Sequence, residues 1–328
     1  MSKTLTFREG IREVLFSEME QNDDMIMLGE NFRYKGSLFS QVLTPAFRKK
    51  FGALRVMETA VAENAIIGVA FGAALAGMTA VPEIYSADFL FCVGTEVVND
   101  IPKWRYQHQY KEPINYVVRG AMGLHAAGGG GPEHSQCPEA YFHNTPGLVI
   151  AAPGTVSDAM GLLRTSLRLG DPVIYLEHRK LYDLTEKVDV PDDYMVPIGK
   201  GNIVKEGTDI TIVAWAYMLQ EAKKAVEKLE QDGIFAELVD PRTIKPMDFD
   251  LIVDSAKKTG NLLIVEETPQ TGSISGEIIV RTVTNNSAVK CDRLTMPDVP
   301  YHYNAKIEAA TVPKADTITA HAKKMLGK

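Results

Sequence analysis

Short apolar segments alternate with helical patterns along this chain, and that alternation limits its fold more than any other feature. In the first 180 residues we predict six strands, each followed by a helix or a loop that leads into one. Strands that alternate with helices form parallel βαβ units. The predicted strands are DDMIMLGEN, LRVMETA, TAVPEIY, INYVVRG, LVIAAPG and DPVIYLEH.

The composition changes after Tyr182. The stretch LTEKVDVPDDYMVPIGKG is charged and rich in Pro and Gly, which favours a linker, and a second α/β pattern follows it. Its strands are predicted in DITIVAWA, FAELVD and NLLIVEE. The sequence therefore predicts an α/β fold with two open parallel-sheet domains, divided into 1–186, a linker at 187–202 and a C-terminal domain at 203–328.

Charge and cysteine content exclude several classes of protein. The net charge is −7 and no basic stripe stands out, so neither a nucleic-acid binder nor a membrane-surface protein is expected. The three cysteines lack C-x-x-C spacing, which argues against a disulfide framework or a zinc site. With no signal-peptide pattern at the N-terminus, we expect a cytoplasmic protein.

One long uncharged run needs a separate explanation. Residues 65–82 carry no charge, and about 18 to 20 apolar residues can span a bilayer. Alanine and glycine dominate the run, however, and give little hydrophobic drive. We therefore predict a helix of a soluble domain, packed closely on another helix through its small residues.

Familiar catalytic motifs are absent from the sequence. There is no G-x-x-x-x-G-K-[ST], no G-x-G-x-x-G after a strand, no G-x-S-x-G and no H-E-x-x-H. Phosphate-binding P-loops, dinucleotide folds, α/β-hydrolases and zincins are thereby excluded. The chemistry must come from other residues.

Glu63 stands at the head of the uncharged run, in VAENAIIGVAFGAALAG. One interpretation is an acid in the first turn of a helix that Thr59 caps. The other is a carboxyl group with a raised pKa in a close-packed place, ready to exchange a proton with a ligand. The residues themselves leave both interpretations open.

Three further residues follow predicted strands, where ligands bind in open α/β sheets. His134 lies in GGGGPEHSQC, where it is either a solvated loop residue or a catalytic one, beside four glycines that make a flexible or tightly folded loop. Phe89, in YSADFLF, is either a core residue or part of a site. Glu30 reads most simply as a surface loop acid, and we expect His178 and Arg179 to be structural or interfacial.

Taken together, several stretches in order resemble one family over nearly the whole chain. They are MLGEN, ETAVAENAIIGVAFGAALAG, EIYSADF, the Gly-rich loop with HSQ, TPGLVIAAPGTVSDAMGLL, DPVIYLEH, VDPRTIKP and MPDVP. The sequence is similar to the β chain of the thiamine-diphosphate-dependent decarboxylating component of pyruvate, branched-chain 2-oxoacid and acetoin dehydrogenases. This resemblance implies a transketolase-like pyrimidine-binding domain and a transketolase C-terminal-like domain.

The resemblance also implies roles for the four residues. The acid matching Glu63 hydrogen-bonds N1′ of the aminopyrimidine of thiamine diphosphate, and Phe89 matches an aromatic that stacks on this ring. His134 matches a loop histidine that faces the substrate and serves catalysis. Glu30 matches an acid that contacts the residues around the pyrimidine but not the ring itself. The loop between Arg119 and His134 is longer and richer in Gly than in pyruvate-type relatives, which leaves the substrate open.

The implied assembly has several chains. The sequence lacks the Gly-Asp-Gly segment that holds Mg²⁺ and the diphosphate, so the resemblance implies an α subunit that carries them. It further implies a second β chain in an α₂β₂ heterotetramer and a lipoyl acyltransferase core. A structural K⁺ ion near Leu167 and Asp171 is implied too, although Leu169 stands where the family often has Asp.

Two other functions remain open from the sequence. Half of a split transketolase would share the cofactor and both domains but transfer ketol groups between sugar phosphates. A non-catalytic interaction protein with the same fold is the second rival, and the presence of Glu63, Phe89 and His134 together argues against it.

Overall fold

Strands and helices alternate through the computed structural model, which describes residues 2–30, 45–125 and 127–328. The predicted connection at 31–44 lies outside the described residues. The first part of the chain contains β1 (Lys3–Thr6), α1 (Phe7–Gln21), β2 (Met25–Gly29), α2 (Pro45–Phe51), β3 (Val56–Glu58), α3 (Glu63–Leu75), β4 (Thr79–Ile84), α4 (Trp104–His108), β5 (Val117–Met122), α5 (Glu139–His143), β6 (Val149–Ala151), α6 (Val156–Arg168), β7 (Val173–His178) and β8 (Thr185–Val188).

The second part has the same alternating character. It contains β9 (Asn202–Lys205), β10 (Ile210–Ala214), α7 (Ala216–Gln231), β11 (Ala236–Asp240), β12 (Thr243–Lys245), α8 (Phe249–Thr259), β13 (Asn261–Pro269), α9 (Ile274–Asn285), β14 (Lys290–Met296), α10 (Ala305–Thr311) and α11 (Ala315–Met325). Where residues are described, no helix is long and apolar enough to cross a membrane.

The larger sheet has the order β12-β6-β7-β5-β4-β2-β3, and six of its strands are parallel. These six are the predicted ones. Helices cover both faces, so every residue of β4 and β5 is buried. Side chains along β2 alternate between two cores, with Met25 and Met27 against α1 and α6, and Ile26 and Leu28 against α3.

The smaller sheet has the order β14-β13-β10-β11-β9 and is parallel except at its edge, where β9 runs antiparallel to β11. Two open sheets in an α/β fold are thus confirmed, while the expectation that all strands are parallel was too simple. The pairs β1–β8 and β6–β12 are also antiparallel. The division at 186 and 203 stays a prediction.

Some predicted helices differ in detail. The helical region predicted at 88–110 is broken into a 3₁₀ segment at Ala87–Val93, a π-helical turn at Glu96–Asp100 and the short α4. The π turn is closed by the bond from the Ile101 N–H to the Glu96 carbonyl, 2.9 Å long. The uncharged run at 65–82 is split between α3 and β4, which removes the membrane-spanning interpretation.

A buried ion triad lies in the middle of the larger sheet. Arg119 of β5 donates to Glu83 of β4 at 2.6 Å, and to both oxygens of Glu177 of β7 at 2.6 and 3.0 Å. Arg119 and Glu177 are each 1% exposed. Three neighbouring strands are therefore joined by charges that no solvent screens.

The two parts of the chain are joined through buried polar contacts. His178, at the end of β7, lies 3.0 Å from the Glu267 carboxylate, and the other oxygen of Glu267 accepts the Leu124 N–H at 3.1 Å. The indole N–H of Trp215 donates to Glu139 of α5 at 3.1 Å. Because each of these contacts is buried, the interface cannot open without leaving polar groups unsatisfied.

Glu139 makes this interface sensitive to pH. Burial raises the pKa of its carboxyl group from 4.5 to about 7, and the charges of Glu266 and Glu267 act in the same direction. A raised pKa favours folding fully below pH 4.5, and that contribution is lost as the pH rises through 7. Across this pH range the shift is expected to lower the free energy of unfolding by about 3 kcal/mol.

We therefore expect Glu139→Gln to remove most of this pH dependence. In the wild-type chain the free energy of unfolding should fall between pH 5 and pH 8. In the variant it should fall by about 2 to 3 kcal/mol less across the same range, because Glu139 no longer titrates there, whereas Asp240, whose pKa burial raises to about 7, still does. Denaturant titrations at the two pH values measure the difference. If the free energy of unfolding fell equally with pH in the two proteins, Glu139 would not titrate in this range.

Candidate active site

The four residues selected from the sequence follow four neighbouring parallel strands. Glu30 comes after β2, Glu63 after β3, Phe89 after β4 and His134 after β5. The carboxyl ends of parallel strands meet at one edge of a sheet, which is where open α/β folds bind ligands. The topology therefore places all four at the same edge.

Glu63 is the first residue of α3 and is half-buried. The alternative that Thr59 caps this helix is wrong. The Thr59 hydroxyl points back to the Ala60 and Gly29 carbonyls, at 2.8 and 3.3 Å, and Ala62 holds the cap position without a side-chain bond. Thr59 thus ties the turn before α3 to the end of β2.

Glu30 lies near enough to Glu63 for their charges to interact, and it is only 6% exposed. The surface position that the sequence favoured is wrong, because Glu30 itself is buried at the end of β2. Among the residues that the structure describes, its buried Oε2 has no hydrogen-bond partner. Burial raises the pKa of Glu30, and the charges of Glu63 and Glu83 raise it further. The raised pKa favours the protonated, neutral form of Glu30 in the neighbourhood of Glu63.

Phe89 and His134 contact each other across two loops. Their rings meet edge to face, with centroids 5.2 Å apart and an interplanar angle of 87°. Both side chains are half-buried, so part of each ring faces open space. An aromatic face beside an imidazole can bind a flat heterocycle and place a proton donor next to it.

The loop that carries His134 is tightly folded. Asp88 accepts both the backbone and the side-chain N–H of Gln136, at 3.1 and 3.0 Å. His125 lies with Nε2 2.9 Å from the His134 carbonyl. Gly130 is packed so closely that an added Cβ would lie 2.5 Å from the Ser135 hydroxyl. Of the two alternatives for the glycine run, the folded one holds.

His178 and Arg179 make buried hydrogen bonds next to the loop, in agreement with the structural role expected for them. Arg179 donates to the Gly123 carbonyl at 2.9 Å. The Nδ1 of His178 accepts the Lys180 N–H at 3.2 Å, so Nε2 carries the proton that Glu267 accepts.

Cys137, His178 and Glu267 offer donor atoms within 4.8 Å of one another. Both ring nitrogens of His178 are already engaged, however, and burial raises the pKa of the Cys137 thiol. This group therefore fits a buried hydrogen-bonded cluster better than a metal site.

In the region predicted for K⁺, an arginine side chain lies beside the backbone carbonyl and carboxylate oxygens. Leu167 belongs to the core between α1 and α6, whereas Asp171 lies 2.9 Å from Nε of Arg105. The same guanidinium donates to the Gly170 carbonyl at 2.5 Å. A fixed positive charge already lies at these oxygens, and K⁺ binding stays a prediction.

Comparison with known proteins decides the family. Two family models match consecutive parts of the chain, the transketolase pyrimidine binding domain over residues 3–185 and the transketolase C-terminal domain over residues 199–318. The 2-oxoisovalerate dehydrogenase subunit beta of Bacillus subtilis (strain 168) is 38% identical over 303 residues, which cover 90% of this chain and 90% of that protein. The chain belongs to the 2-oxoacid dehydrogenase β-subunit family.

Other relatives agree with this assignment. The pyruvate dehydrogenase E1 component subunit beta of Gracilaria tenuistipitata var. liui is 36% identical, and the match covers 95% of this chain and 96% of that protein. A solved structure titled "Split gene transketolase, inactive beta4 tetramer" has a TM-score of 0.77 and covers 98% of both chains. At 21% identity it shows the shared fold alone, so the relatives favour the dehydrogenase family over the split transketolase.

Several residues at the site were not found from the sequence. Asp88 lies in the quoted YSADF stretch, but nothing in the spacing indicated that it holds Gln136. Glu308 contacts the loop from the other part of the chain, and its separation from Ser135 by 173 positions gives no local signal. His125 could have been noticed as a second histidine in the same glycine-rich loop.

Proposed function

We propose that this chain is the β subunit of a thiamine-diphosphate-dependent 2-oxoacid or acetoin dehydrogenase. Together with an α chain it would decarboxylate a 2-oxoacid, or cleave acetoin, and transfer the acyl group to a lipoyl group on an acyltransferase core in the cytoplasm. The observation that carries this proposal is the gathering of Glu30, Glu63, Phe89 and His134 at one sheet edge in a chain of this family.

The acid pair fits the pyrimidine end of the cofactor. Thiamine diphosphate supplies the nucleophilic carbon that adds to the substrate carbonyl, which side chains cannot supply. Glu63 would hold a proton at the ring nitrogen N1′. Glu30 supports this role because its pKa is raised by burial and by the charge of Glu63, and its buried Oε2 has no partner within 2–30, 45–125 and 127–328. The raised pKa favours the protonated form of Glu30, so that Glu63 would exchange its own proton without a second negative charge beside it.

Phe89 and His134 would act on either side of the reacting groups. The exposed part of the Phe89 ring offers an apolar face for the pyrimidine. The edge-to-face contact with Phe89 fixes the plane of the His134 imidazole, which can then donate a hydrogen bond to the substrate carboxylate or to the transferred acyl oxygen.

We propose that the α subunit binds the exposed face of helix α3. One face of this helix packs in the core, but Ala65, Gly68 and Gly72 are exposed and an added Cβ at either glycine would meet no atom within 4 Å. Val69, on the same side, is 57% exposed. The small side chains predicted to face another helix thus face outward in the single chain, beside Glu63, where an α chain would cover them.

The remaining parts of the assembly belong to the same proposal. The α chain would hold Mg²⁺ and the diphosphate, because no Gly-Asp-Gly segment occurs in this sequence. A second β chain would complete an α₂β₂ heterotetramer, and a K⁺ ion near Leu167 and Asp171 is kept as a prediction.

The test is an activity screen of the chain co-expressed with an α partner that carries Gly-Asp-Gly. We expect turnover of pyruvate, 3-methyl-2-oxobutanoate or acetoin that requires both chains, Mg²⁺ and thiamine diphosphate, with ferricyanide or a lipoyl domain as acceptor. Ketol transfer between sugar phosphates in place of this turnover would support the split transketolase. If calorimetry detected no thiamine diphosphate binding by the assembly, the proposal would be wrong.

A further inference from the structure

A carboxylate from the far end of the chain holds the glycine-rich loop. Glu308, on α10, is 0% exposed. Its Oε2 accepts the backbone N–H of Gly129 at 2.6 Å, and its Oε1 accepts the hydroxyl of Ser135 at 2.8 Å. These two bonds lie on either side of His134 in the sequence, so one side chain joins both ends of the 129–135 segment.

The glycines allow the loop to approach α10 this closely. Three of them have positive φ, between 73° and 79°, and pack against the start of that helix. A Cβ added to Gly131 would lie 2.3 Å from the Tyr303 ring, and one added to Gly128 would lie 2.6 Å from the Ala305 Cβ. At Gly129 it would lie 2.8 Å from the Tyr303 carbonyl. Any larger residue would push the backbone away from Glu308.

His134 is held through its backbone, through its ring and through the residues that follow it. Its carbonyl lies 2.9 Å from His125 Nε2, and the next residue but one, Gln136, is bound twice by Asp88. Its ring contacts Phe89, and it remains half-buried. Glu308 therefore supplies the bond that fixes the neighbouring Ser135, which is 0% exposed.

We propose that Glu308 is a positioning residue, through which the C-terminal part of the chain orients His134 for its reaction. Without the carboxylate, a backbone N–H and a hydroxyl would be buried without partners, and the segment would shift to satisfy them. A displacement of about 1 Å in a catalytic group can cost about 100-fold in rate. The catalytic part of this proposal rests on the proposed function, whereas the link between Glu308 and the loop does not.

Hydrogen exchange of the full chain tests the link directly. In Glu308→Ala, amide exchange in the 129–135 segment should rise by about tenfold or more, since the bond on the Gly129 amide is lost. Glu237→Ala is the matched control. Glu237 is also 0% exposed and accepts a glycine N–H and a serine hydroxyl, from Gly207 and Ser255, although it also pairs with Lys258. Unchanged exchange in 129–135 in Glu308→Ala would overturn the link.

Kinetics of the α/β assembly test the positioning role. Per bound thiamine diphosphate, Glu308→Ala should lower kcat on the active 2-oxoacid by about 100-fold, with cofactor affinity unchanged. Glu308→Gln should recover most of this loss, because its carbonyl can accept the Gly129 N–H and its amide can donate to Ser135. A merely structural role would lower the melting temperature and the active fraction, but it would leave kcat per bound cofactor unchanged.

The outcomes separate the two proposals. A kcat within twofold of wild type in Glu308→Ala would overturn the positioning role and leave the proposed function standing. A wild-type assembly that turns over neither 2-oxoacids nor acetoin would instead overturn the proposed function, and with it the catalytic part of this inference. The exchange experiment would then still decide whether Glu308 orders the loop.

Discussion

Glu63→Gln is expected to slow C2 proton exchange of thiamine diphosphate bound to the α/β assembly by about 100-fold or more. Glutamine has the same shape and can still hydrogen-bond the ring nitrogen, but it cannot take up and release a proton there. Cofactor binding should therefore persist while exchange and turnover fall together. Acid-quench NMR of the exchange, with calorimetry of the binding, measures the two effects separately.

The prediction for Glu63→Gln has a control variant and a result that would contradict it. Glu58→Gln changes a half-buried acid five positions earlier, at the end of β3, which lies 3.8 Å from Arg48. That variant should exchange at the wild-type rate. If Glu63→Gln also exchanged at the wild-type rate with cofactor bound, Glu63 would have no part in the proton transfer.

Arg119→Met is expected to lower the free energy of unfolding by about 3 to 5 kcal/mol. The substitution removes the guanidinium between Glu83 and Glu177 and deprives both buried acids of its positive charge. Denaturant unfolding of the full chain at neutral pH measures the loss. Part of it should return when both acids are also changed to Gln, because the buried charges are then gone.

The matched control for this variant is Arg281→Met. Arg281 also pairs with a glutamate, Glu277, at 2.6 Å, but half of its side chain is exposed. An exposed pair contributes at most about 1 kcal/mol, so the control should unfold near wild type. A similar small effect for Arg119→Met would mean that the triad does not stabilise the sheet.

The central strands could be predicted because burial on both faces leaves a clear pattern. Continuous apolar segments such as β4 and β7 have no solvent-facing side, so short runs bounded by turns identify them. Five strands escaped, β1, β8, β9, β12 and β14, because at least half of the residues in KTLT, TEKV, NIVK, TIK and KCDRLTM are polar or charged. Such segments contain no continuous apolar run to detect, and their pairing depends on partners elsewhere in the chain.

The candidate site was predictable where function depends on strand order. Glu30, Glu63, Phe89 and His134 follow parallel strands, and parallel strands bring their ends together. The environment of each residue was less predictable. Glu30 reads as a surface acid because the sequence does not show that it is buried at the end of β2. Glu308 escaped entirely, because its contact with Gly129 joins positions 179 residues apart.

The strand β12 links the second part of the chain to the sheet of the first. It comes from the second part of the sequence but closes the outer edge of the first sheet beside β6. A fragment ending before residue 243 would expose the backbone groups of β6, and exposed strand edges recruit other chains and promote aggregation. Nascent protein emerging from the ribosome meets the same hazard, since its N-terminal sheet cannot be completed until most of the polypeptide has been synthesised.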